Sequence, residues 1–133
     1  MTRTFPASTT ALDDVIAFFD ETLESIGCSM KQITQIDLCI EEMFVNVALY
    51  AYDGAAGEVF ISIEKAEDSV VISLTDNGIP FNPLLKEEPD ITLSAEDRQI
   101  GGLGIFMVKR MMDDIQYERK DGSNILKMYK KIG

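Results

Sequence analysis

Three polar residues, Glu41, Glu42 and Asn46, interrupt an apolar stretch of the chain between Leu38 and Ala51, and Glu42 lies four positions before Asn46. Residues four positions apart share one face of a helix, so this carboxylate and this amide could reach a common ligand. The amide oxygen of Asn46 suits Mg²⁺, which completes its coordination shell with waters and substrate phosphates. Glu42 could then accept a proton from a hydroxyl or a water as a general base. A partly exposed glutamate beside an asparagine that bonds locally is the open alternative.

A second candidate site is the run Asp76, Asn77 and Gly78, which directly follows a predicted strand. An ionised aspartate only accepts hydrogen bonds, so it would accept from the exocyclic amine of adenine and repel the carbonyl oxygen of guanine. Gly78 has no Cβ, which would allow its backbone to approach a purine closely. These residue types are also common turn formers, so an ordinary turn remains the alternative.

A glycine cluster, Gly101, Gly102 and Gly104, precedes a third predicted helix. The free N–H groups at the start of a helix, together with its dipole, favour binding of a polyphosphate. Because the net charge of the chain is −11, the attraction must come from these local amides, from Mg²⁺, and from Arg98 or Lys109. A simple loop-to-helix transition is equally compatible with the glycines.

Helical periodicity predicts the elements that carry the first and third sites. Apolar residues recur with helical spacing over 12–26, and Gly27 ends the pattern. Ser29 and Gln32 form a capping-box pattern that opens a second helix, which is predicted to run to about residue 51. This second helix is apolar on nearly every side in its later half, so we expect it to be sandwiched between other elements. The third helix is expected to end near residue 114.

Alternating apolar residues predict two hairpins, one over 59–74 and one over 115–131. Asp121 and Gly122 accept the positive φ of the second turn. Between the two predicted hairpins, residues 79–100 contain three prolines and no sustained periodicity, which predicts a mobile lid. The order of helices and strands predicts an α+β fold, a two-layer sandwich in which helices cover one face of a mainly antiparallel sheet. At 133 residues, we expect one domain over 1–133.

Composition excludes several classes of function. The chain has no histidine, which rules out a phosphohistidine relay, Ser/His/Asp triads and histidine-based zinc sites within it. The acidic charge argues against direct nucleic-acid binding and against anionic membrane surfaces, and leaves a basic protein partner possible. No apolar run is long enough to span a membrane, so the cytoplasm is the expected compartment. Cys28 and Cys39 do not form a disulfide framework.

Three motifs, in the same order as the three sites, carry a resemblance to a known family. They are Glu-Glu-Met-Phe-Val-Asn at 41–46 with Tyr-Ala-Tyr at 50–52, Asp-Asn-Gly-Ile-Pro-Phe-Asn-Pro at 76–83, and Ile-Gly-Gly-Leu-Gly-Ile at 100–105. They resemble the N, G1 and G2 boxes of the histidine kinase-like (GHKL) ATPases. The stretch at 113–124 is also similar to the anti-sigma-factor serine/threonine kinase branch of that family, and the resemblance spans nearly the whole chain.

That resemblance implies a Bergerat-type ATP-binding fold, with ATP and Mg²⁺ as cofactors. It implies Glu42 as the catalytic residue, Asn46 as the magnesium ligand and Asp76 as the adenine contact. The same comparison implies nucleotide binding by Gly78 and by a set in the third motif, Gly102, Leu103 and Gly104. Glu41 leaves the register open, but only Glu42 has the four-residue spacing to Asn46.

The resemblance also implies the biology. The substrate would be a serine or threonine of a small antagonist protein, and the kinase would sequester a sigma factor, commonly as a homodimer. The chain departs from the family pattern at Asn82, where aspartate is common, and at Phe106, where close relatives often have histidine. These changes bear on partner choice more than on nucleotide binding. Two alternatives stay open: an ATP-dependent binding module without kinase activity, and a structural domain that binds no nucleotide.

Overall fold

A five-stranded antiparallel sheet forms one layer of the protein. The computed structural model describes residues 1–52, 55–82, 84 and 102–132. The strands are β1 Thr2–Pro6, β2 Glu58–Ala66, β3 Ser69–Asp76, β4 Asp114–Lys120 and β5 Ser123–Lys131. Their order is β1-β2-β3-β5-β4, and each neighbouring pair is antiparallel. The strand that ends in Asp76 therefore lies in the middle of the sheet.

Both predicted hairpins are present. β2 and β3 are joined by a turn in which Glu67 has a φ of 55°. β4 and β5 are joined through Asp121 and Gly122, with φ values of 52° and 81°. Asp-Gly is a favoured pair in two-residue hairpin turns because both positions tolerate positive φ. The second turn was predicted at these two residues.

Alternation along β3 decides where Asp76 lies. Every second residue of the strand is buried, and the residues between them are half-buried. The buried row is Val70, Ile72, Leu74 and Asp76. Successive side chains of a strand point to opposite faces, so Asp76 takes the last inward position of an otherwise apolar row. Its carboxylate is thereby placed at the end of the core.

β1 was not predicted from the sequence. Only Phe5 of its five residues is buried, and the Arg3 guanidinium lies 4.8 Å from the centroid of the Phe5 ring. One apolar residue among polar neighbours gives no alternating pattern. The strand depends on pairing with β2, where Phe5 lies opposite Val59. Pro6, which cannot donate to a ladder, is tolerated because β1 is an edge strand.

Three helices form the second layer, over the inward face of the sheet. They are α1 Leu12–Ile26, α2 Met30–Asn46 and α3 Gly102–Met111, and α2 contacts both of the others. On β2, the inward residues Val59, Ile61 and Ile63 are buried, while the outward residues Phe60 and Glu64 are exposed. The predicted α+β fold, with helices covering one face of an antiparallel sheet, is confirmed.

Local capping explains why α1 and α2 meet at a sharp corner. Gly27 adopts a φ of 102°, and the N–H groups of Gly27 and Cys28 both donate to the carbonyl of Leu23. This left-handed cap ends α1. α2 begins at once with the predicted capping box, in which Ser29 Oγ accepts from the Gln32 N–H at 3.1 Å and Gln32 Oε1 accepts from the Ser29 N–H at 2.8 Å.

α2 continues beyond Asn46 as a π-helical turn, Val47–Ala51, so helical structure extends to the predicted end. The expectation that this helix lies between other elements agrees with its contacts, because α2 touches both α1 and α3. Two of its apolar residues are nevertheless exposed: Leu38 is 40% exposed, and Leu49 in the π turn is 50% exposed. Apolar residues on the outer face of α2 therefore meet solvent.

α3 differs from its prediction at both ends. It begins at Gly102, so Gly102, Leu103 and Gly104 form its first turn instead of preceding it. It ends at Met111, because the chain joins β4 from Asp114 onward. Most of the predicted lid at 79–100 lies outside the described residues, as does Arg98. Among the described helices, none combines the length and hydropathy needed to cross a bilayer.

Candidate functional site

A cavity of about 300 Å³, including its open mouth, lies between the end of α2 and the sheet. Asn46 comes from the last turn of α2, and Asp76 comes from the end of β3. The full lining is Met43, Asn46, Val47, Leu74, Asp76, Phe81, Tyr117, Asn124 and Leu126. The structure thus brings together two of the predicted site residues in a largely apolar pocket with a few polar groups, which is the usual character of a small-molecule site.

Asp76 is held in place by two donors. It is only 4% exposed, and its Oδ1 accepts from the backbone N–H of Gly78 and from Asn124 Nδ2, both at 2.9 Å. The bond to Gly78 closes a local turn, as Asp, Asn and Gly commonly do. The turn and the cavity position occur together, because the same carboxylate closes the turn and lines the pocket.

The turn that follows Asp76 is braced by the β4–β5 hairpin along its whole length. Asn124 contacts Asp76 as described, Ser123 Oγ donates to Asn77 Oδ1 at 2.6 Å, and Arg119 donates to the carbonyl of Gly78 at 2.8 Å. The antiparallel register places Asp76 opposite Asn124, which makes this bracing possible. The conformation of residues 76–78 is therefore set by tertiary contacts as well as by local turn chemistry.

Gly78 is required by a close approach of two backbone segments. A Cβ at this position would collide with the carbonyl of Ala51, at the end of the π turn. The N–H of Ile79 donates to that same carbonyl oxygen at 2.7 Å. The described structure therefore explains the glycine by contact with the helix end, and the predicted approach to a purine remains a separate expectation.

Asn46 and Glu42 are arranged as one unit at the end of α2. Asn46 is 4% exposed, and its Nδ2 donates to the backbone carbonyl of Glu42 at 2.7 Å. This is the local bonding left open as an alternative. It uses the amide nitrogen and leaves the amide oxygen as the atom able to bind a cation. Glu42 is half-buried, one turn from the cavity wall, whereas Glu41 is exposed.

The donor set fits Mg²⁺ bound largely through phosphates. A single amide oxygen, that of Asn46, is what the cavity offers from α2, and Mg²⁺ usually takes one or two protein oxygens beside waters and phosphates. In the described part of the chain, no three His, Cys, Asp or Glu side chains cluster as a cation site of their own. A phosphate-bearing ligand would have to complete the coordination shell.

Tyr52 fastens the segment after the π turn to the sheet. Its hydroxyl donates to the carbonyl of Glu58 and accepts from the N–H of Asn77 at 3.0 Å. Gly57 lies under the Tyr52 ring, where a Cβ would clash with the ring. One aromatic side chain thus connects the end of the helix, the start of β2 and the turn after β3. The sequence identified Tyr52 only as part of a motif.

The residues predicted to bind phosphate are described only in part. Gly102, Leu103 and Gly104 lie in the first turn of the ten-residue helix α3. Lys109, one of two predicted cationic contacts, donates from Nζ to the carbonyl of Leu84 at 3.5 Å and is exposed. In this arrangement it contacts the segment that follows β3.

Asn124, Tyr117 and Phe81 line the cavity but were not predicted. Asn124 lies at an inward position of β5, in the row that continues with Leu126 and Met128. A polar residue in an apolar inward row is the signal that could have identified it. Tyr117 gave a similar signal on β4, whereas Phe81 lies in the aperiodic stretch and gave none.

Comparison with known proteins identifies the family and supports the same fold. A family model described as "Histidine kinase-like ATPase domain" matches residues 5–130. A serine-protein kinase RsbW of Bacillus mycoides is 30% identical over 105 residues, which are 76% of this chain and 66% of the relative. A serine/threonine-protein kinase BtrW of Bordetella bronchiseptica is 27% identical over 92 residues, 68% of this chain and 65% of the relative. The matched region spans just under two thirds of the length of these relatives.

Solved structures show the same fold at lower identity. A crystal structure of RsbU and RsbW domains from Mycobacterium tuberculosis matches 99% of this chain and 31% of that chain, with a TM-score of 0.68 and 18% identity. The Acinetobacter baumannii histidine kinase AdeS matches all of this chain and 68% of that chain, with a TM-score of 0.53 and 16% identity. Together with the family model, these matches confirm the resemblance drawn from the three motifs. The chain belongs to the histidine kinase-like ATPase domain family.

Proposed function

We propose that this chain is an ATP-dependent protein serine/threonine kinase whose nucleotide binds in the cavity between α2, β3 and β5. The observation that carries the proposal is the convergence of Asn46 and Asp76 on that cavity from distant parts of the sequence. Asn46 supplies an oxygen ligand for a metal, and Asp76 supplies a hydrogen-bond acceptor for a nucleotide base. The serine-protein kinase names of the curated relatives support a kinase over other ATP-dependent activities.

Adenine recognition would rest on Asp76. Both hydrogen bonds that it accepts from described residues fall on Oδ1. Oδ2 is then the oxygen that accepts from the exocyclic amine of adenine, while guanine would present a carbonyl oxygen to it. The apolar side chains of Met43, Val47 and Leu126 would contact the faces and edges of the purine. Gly78 would keep the turn close to the base.

The triphosphate would run from this cavity toward the first turn of α3. The backbone N–H groups of Gly102, Leu103 and Gly104 are at a helix N-terminus, where free amides bind phosphates. Asn46 would hold Mg²⁺ through its amide oxygen, and the ion when bound would neutralise charge on the phosphates. In a chain with a net charge of −11, these local groups must provide the attraction.

Glu42 is proposed as the general base. It lies one helical turn from Asn46, so it would face a hydroxyl brought up to the γ-phosphate and could accept its proton as the phosphoryl group is transferred. Glu41 is exposed and does not have the four-residue spacing to Asn46. The phosphoryl acceptor would be a serine or threonine of a small antagonist protein. The kinase would also bind a sigma factor, and it would act as a homodimer in the cytoplasm.

Substitution of Glu42 by glutamine tests the catalytic assignment. We expect Glu42→Gln to reduce phosphoryl transfer from γ-labelled ATP to an antagonist protein by about 100-fold, because general-base catalysis contributes roughly 10² to 10⁴ in rate. ATP affinity, measured by calorimetry, should stay within about threefold, because Glu42 does not line the cavity.

Glu41→Gln is the matched control, since it makes the same charge change on the adjacent, exposed residue. It should leave both transfer and affinity unchanged. If ATP with Mg²⁺ fails to raise the melting temperature of the wild-type chain, the proposed nucleotide site is wrong, because a bound ligand must stabilise the folded state. If ATP binds and Glu42→Gln has no effect on partner regulation, a binding module without kinase activity is the better description.

A further inference from the structure

Asn124 is a buried amide whose hydrogen-bonding capacity is completely used. It is 4% exposed. Its Nδ2 donates to Asp76 Oδ1 at 2.9 Å and to the carbonyl of Ile79 at 2.7 Å. Its Oδ1 accepts from the N–H of Phe81 at 3.2 Å and from the Tyr117 hydroxyl. A side-chain amide offers two donors and two acceptor positions, and each of them has a partner here.

This set of partners fixes the orientation of the amide. With its oxygen and nitrogen exchanged, Asn124 would place an oxygen against the Asp76 carboxylate and the Ile79 carbonyl, and an N–H against the N–H of Phe81. All three contacts would then be repulsive. The side chain therefore has one stable orientation, in which it always presents a donor to Asp76.

The same side chain connects two parts of the site. Asp76 is the last residue of β3, whereas Ile79 and Phe81 belong to the segment that follows. Phe81 also lines the cavity, and its ring lies 5.7 Å from that of Tyr50. One residue of β5 thus links the Asp76 carboxylate to the backbone at Ile79 and Phe81.

We propose that Asn124 is a positioning residue that makes the base selectivity of this site and the placement of the segment after β3 depend on each other. This inference rests on the proposed nucleotide site. Donation from Nδ2 keeps Oδ1 of Asp76 occupied and directs Oδ2 toward the base. When a bound base shifts Asp76, the shift is transmitted through Asn124 to the backbone at Ile79 and Phe81.

The substitution Asn124→Asp tests the proposal because it preserves shape and replaces the donor with an acceptor. The introduced carboxyl would face Asp76 and the Ile79 carbonyl. We expect ATP affinity to fall by about tenfold or more, as for loss of a hydrogen bond to a charged group, and the preference for ATP over GTP to shrink. Both values can be measured by calorimetry with ATP and GTP in the presence of Mg²⁺.

A pH series separates positioning from a general loss of structure. At lower pH the introduced carboxyl and Asp76 can share a proton, which restores a donor between them, with the Tyr117 hydroxyl as the other titratable neighbour. The loss of ATP affinity caused by Asn124→Asp should therefore become smaller as the pH falls from about 7.5 to about 5.5, the range in which paired carboxyls usually titrate. If Asn124→Asp only disturbed the structure, its loss of ATP affinity would grow or stay constant as the pH falls.

Gln116→Glu is the matched control. It makes the same amide-to-carboxylate change on β4, but Gln116 is exposed on the outward face of the sheet. Its affinities and selectivity should equal those of the wild type. Tyr117→Phe is a second test that removes one bond to Asn124 without adding a charge, and we expect it to weaken ATP binding by a few-fold with a smaller loss of selectivity.

The outcomes are distinguishable from failure of the proposed function. If the wild-type chain binds neither ATP nor GTP, the nucleotide site itself is wrong. If the wild type binds ATP and folded Asn124→Asp keeps its affinity and selectivity, the positioning role is overturned. If Asn124→Asp does not fold, as judged by its melting transition without ligand, a folded Tyr117→Phe with wild-type affinity and selectivity overturns the role instead.

Discussion

Two carboxylic acids in this fold, Asp76 at the end of β3 and Asp37 in α2, have opposite surroundings. Asp76 receives hydrogen bonds from Gly78 and Asn124. Asp37 faces another acid, Asp20 of α1, and one oxygen of each is buried with no donor among the described residues. Burial first, and then the hydrogen bond and the charge of Asp20, raise the pKa of Asp37 to about 8.

The difference shows that neighbours decide what a carboxyl group can do. Donors around Asp76 stabilise a charged acceptor, which is what recognition of an amine requires. Between Asp20 and Asp37, a proton on Asp37 serves as the donor, and the hydrogen bond to Asp20 joins α1 to α2. The first acid is suited to a ligand, and the second to linking two helices.

The largest expected effect comes from removing the charge of Asp76. Asp76→Asn should keep the shape of the site but present an amide N–H to the exocyclic amine of adenine, so that two donors face each other. We expect ATP affinity to fall by about 100-fold, as for loss of a charged hydrogen bond with an unpaired donor left behind. Calorimetry measures the loss, and unchanged affinity would contradict the assignment of Asp76. Asp37→Asn should leave ATP affinity unchanged.

A second prediction concerns the backbone contact that shapes the Asp76 turn. Gly78→Ala should reduce the free energy of unfolding by about 1 to 3 kcal/mol, the usual cost of overpacking, because the new Cβ collides with the Ala51 carbonyl. Urea unfolding measures the change. Gly57→Ala is the comparison variant, since its Cβ would meet the Tyr52 ring, a side chain that can move, and we expect a smaller loss. Equal losses would show that the helix end is free to shift.

The smallest expected effect is a change in pH dependence at the Asp20–Asp37 pair. The folded-state pKa of about 8 lies above the value of an unfolded aspartate, near 4, so the folded chain binds a proton that the unfolded chain releases. This contribution to stability is complete below the lower pKa and is lost as pH rises toward the higher one.

Asp37→Asn should remove that dependence, because an amide donates to Asp20 at every pH. Its melting temperature should equal that of the wild type near about pH 4 and exceed it by a few degrees near about pH 8.5, at the two ends of the titration window. Glu21→Gln, the same charge change at an exposed residue of α1, is the control. If the melting temperatures of the wild type and of Asp37→Asn change in parallel with pH, the two acids do not share a proton.

Features that depend on neighbouring residues in the sequence were predicted well. The end of α1 at Gly27, the capping box of α2 and the two hairpins follow from periodicity and from residues such as Gly27 and Ser29, whose conformational preferences act locally. β1 was missed because a single buried residue, Phe5, gives no pattern. The exposure of Leu38 and Leu49 was missed because periodicity does not report how many layers a fold has.

The candidate site could be predicted only in part for the same physical reason. Asn46 stood out as a polar residue in an apolar stretch, and Asp76 stood out as the start of an Asp-Asn-Gly run directly after a predicted strand. The role of Asn124 depends on the register of β3 against β5, which places it opposite Asp76. That register is a property of the assembled sheet, and no local signal in the sequence specifies it.

The two outer strands of the sheet have a consequence for behaviour in concentrated solution. β1 carries Arg3 and Pro6, and β4 carries Asp114, Glu118 and Lys120 among its seven residues. Charged side chains and proline on outer strands hinder another molecule from extending the hydrogen-bonded ladder. Growth into fibrous aggregates by strand addition is thereby disfavoured, even though the helices of the described residues cover only one side of the sheet.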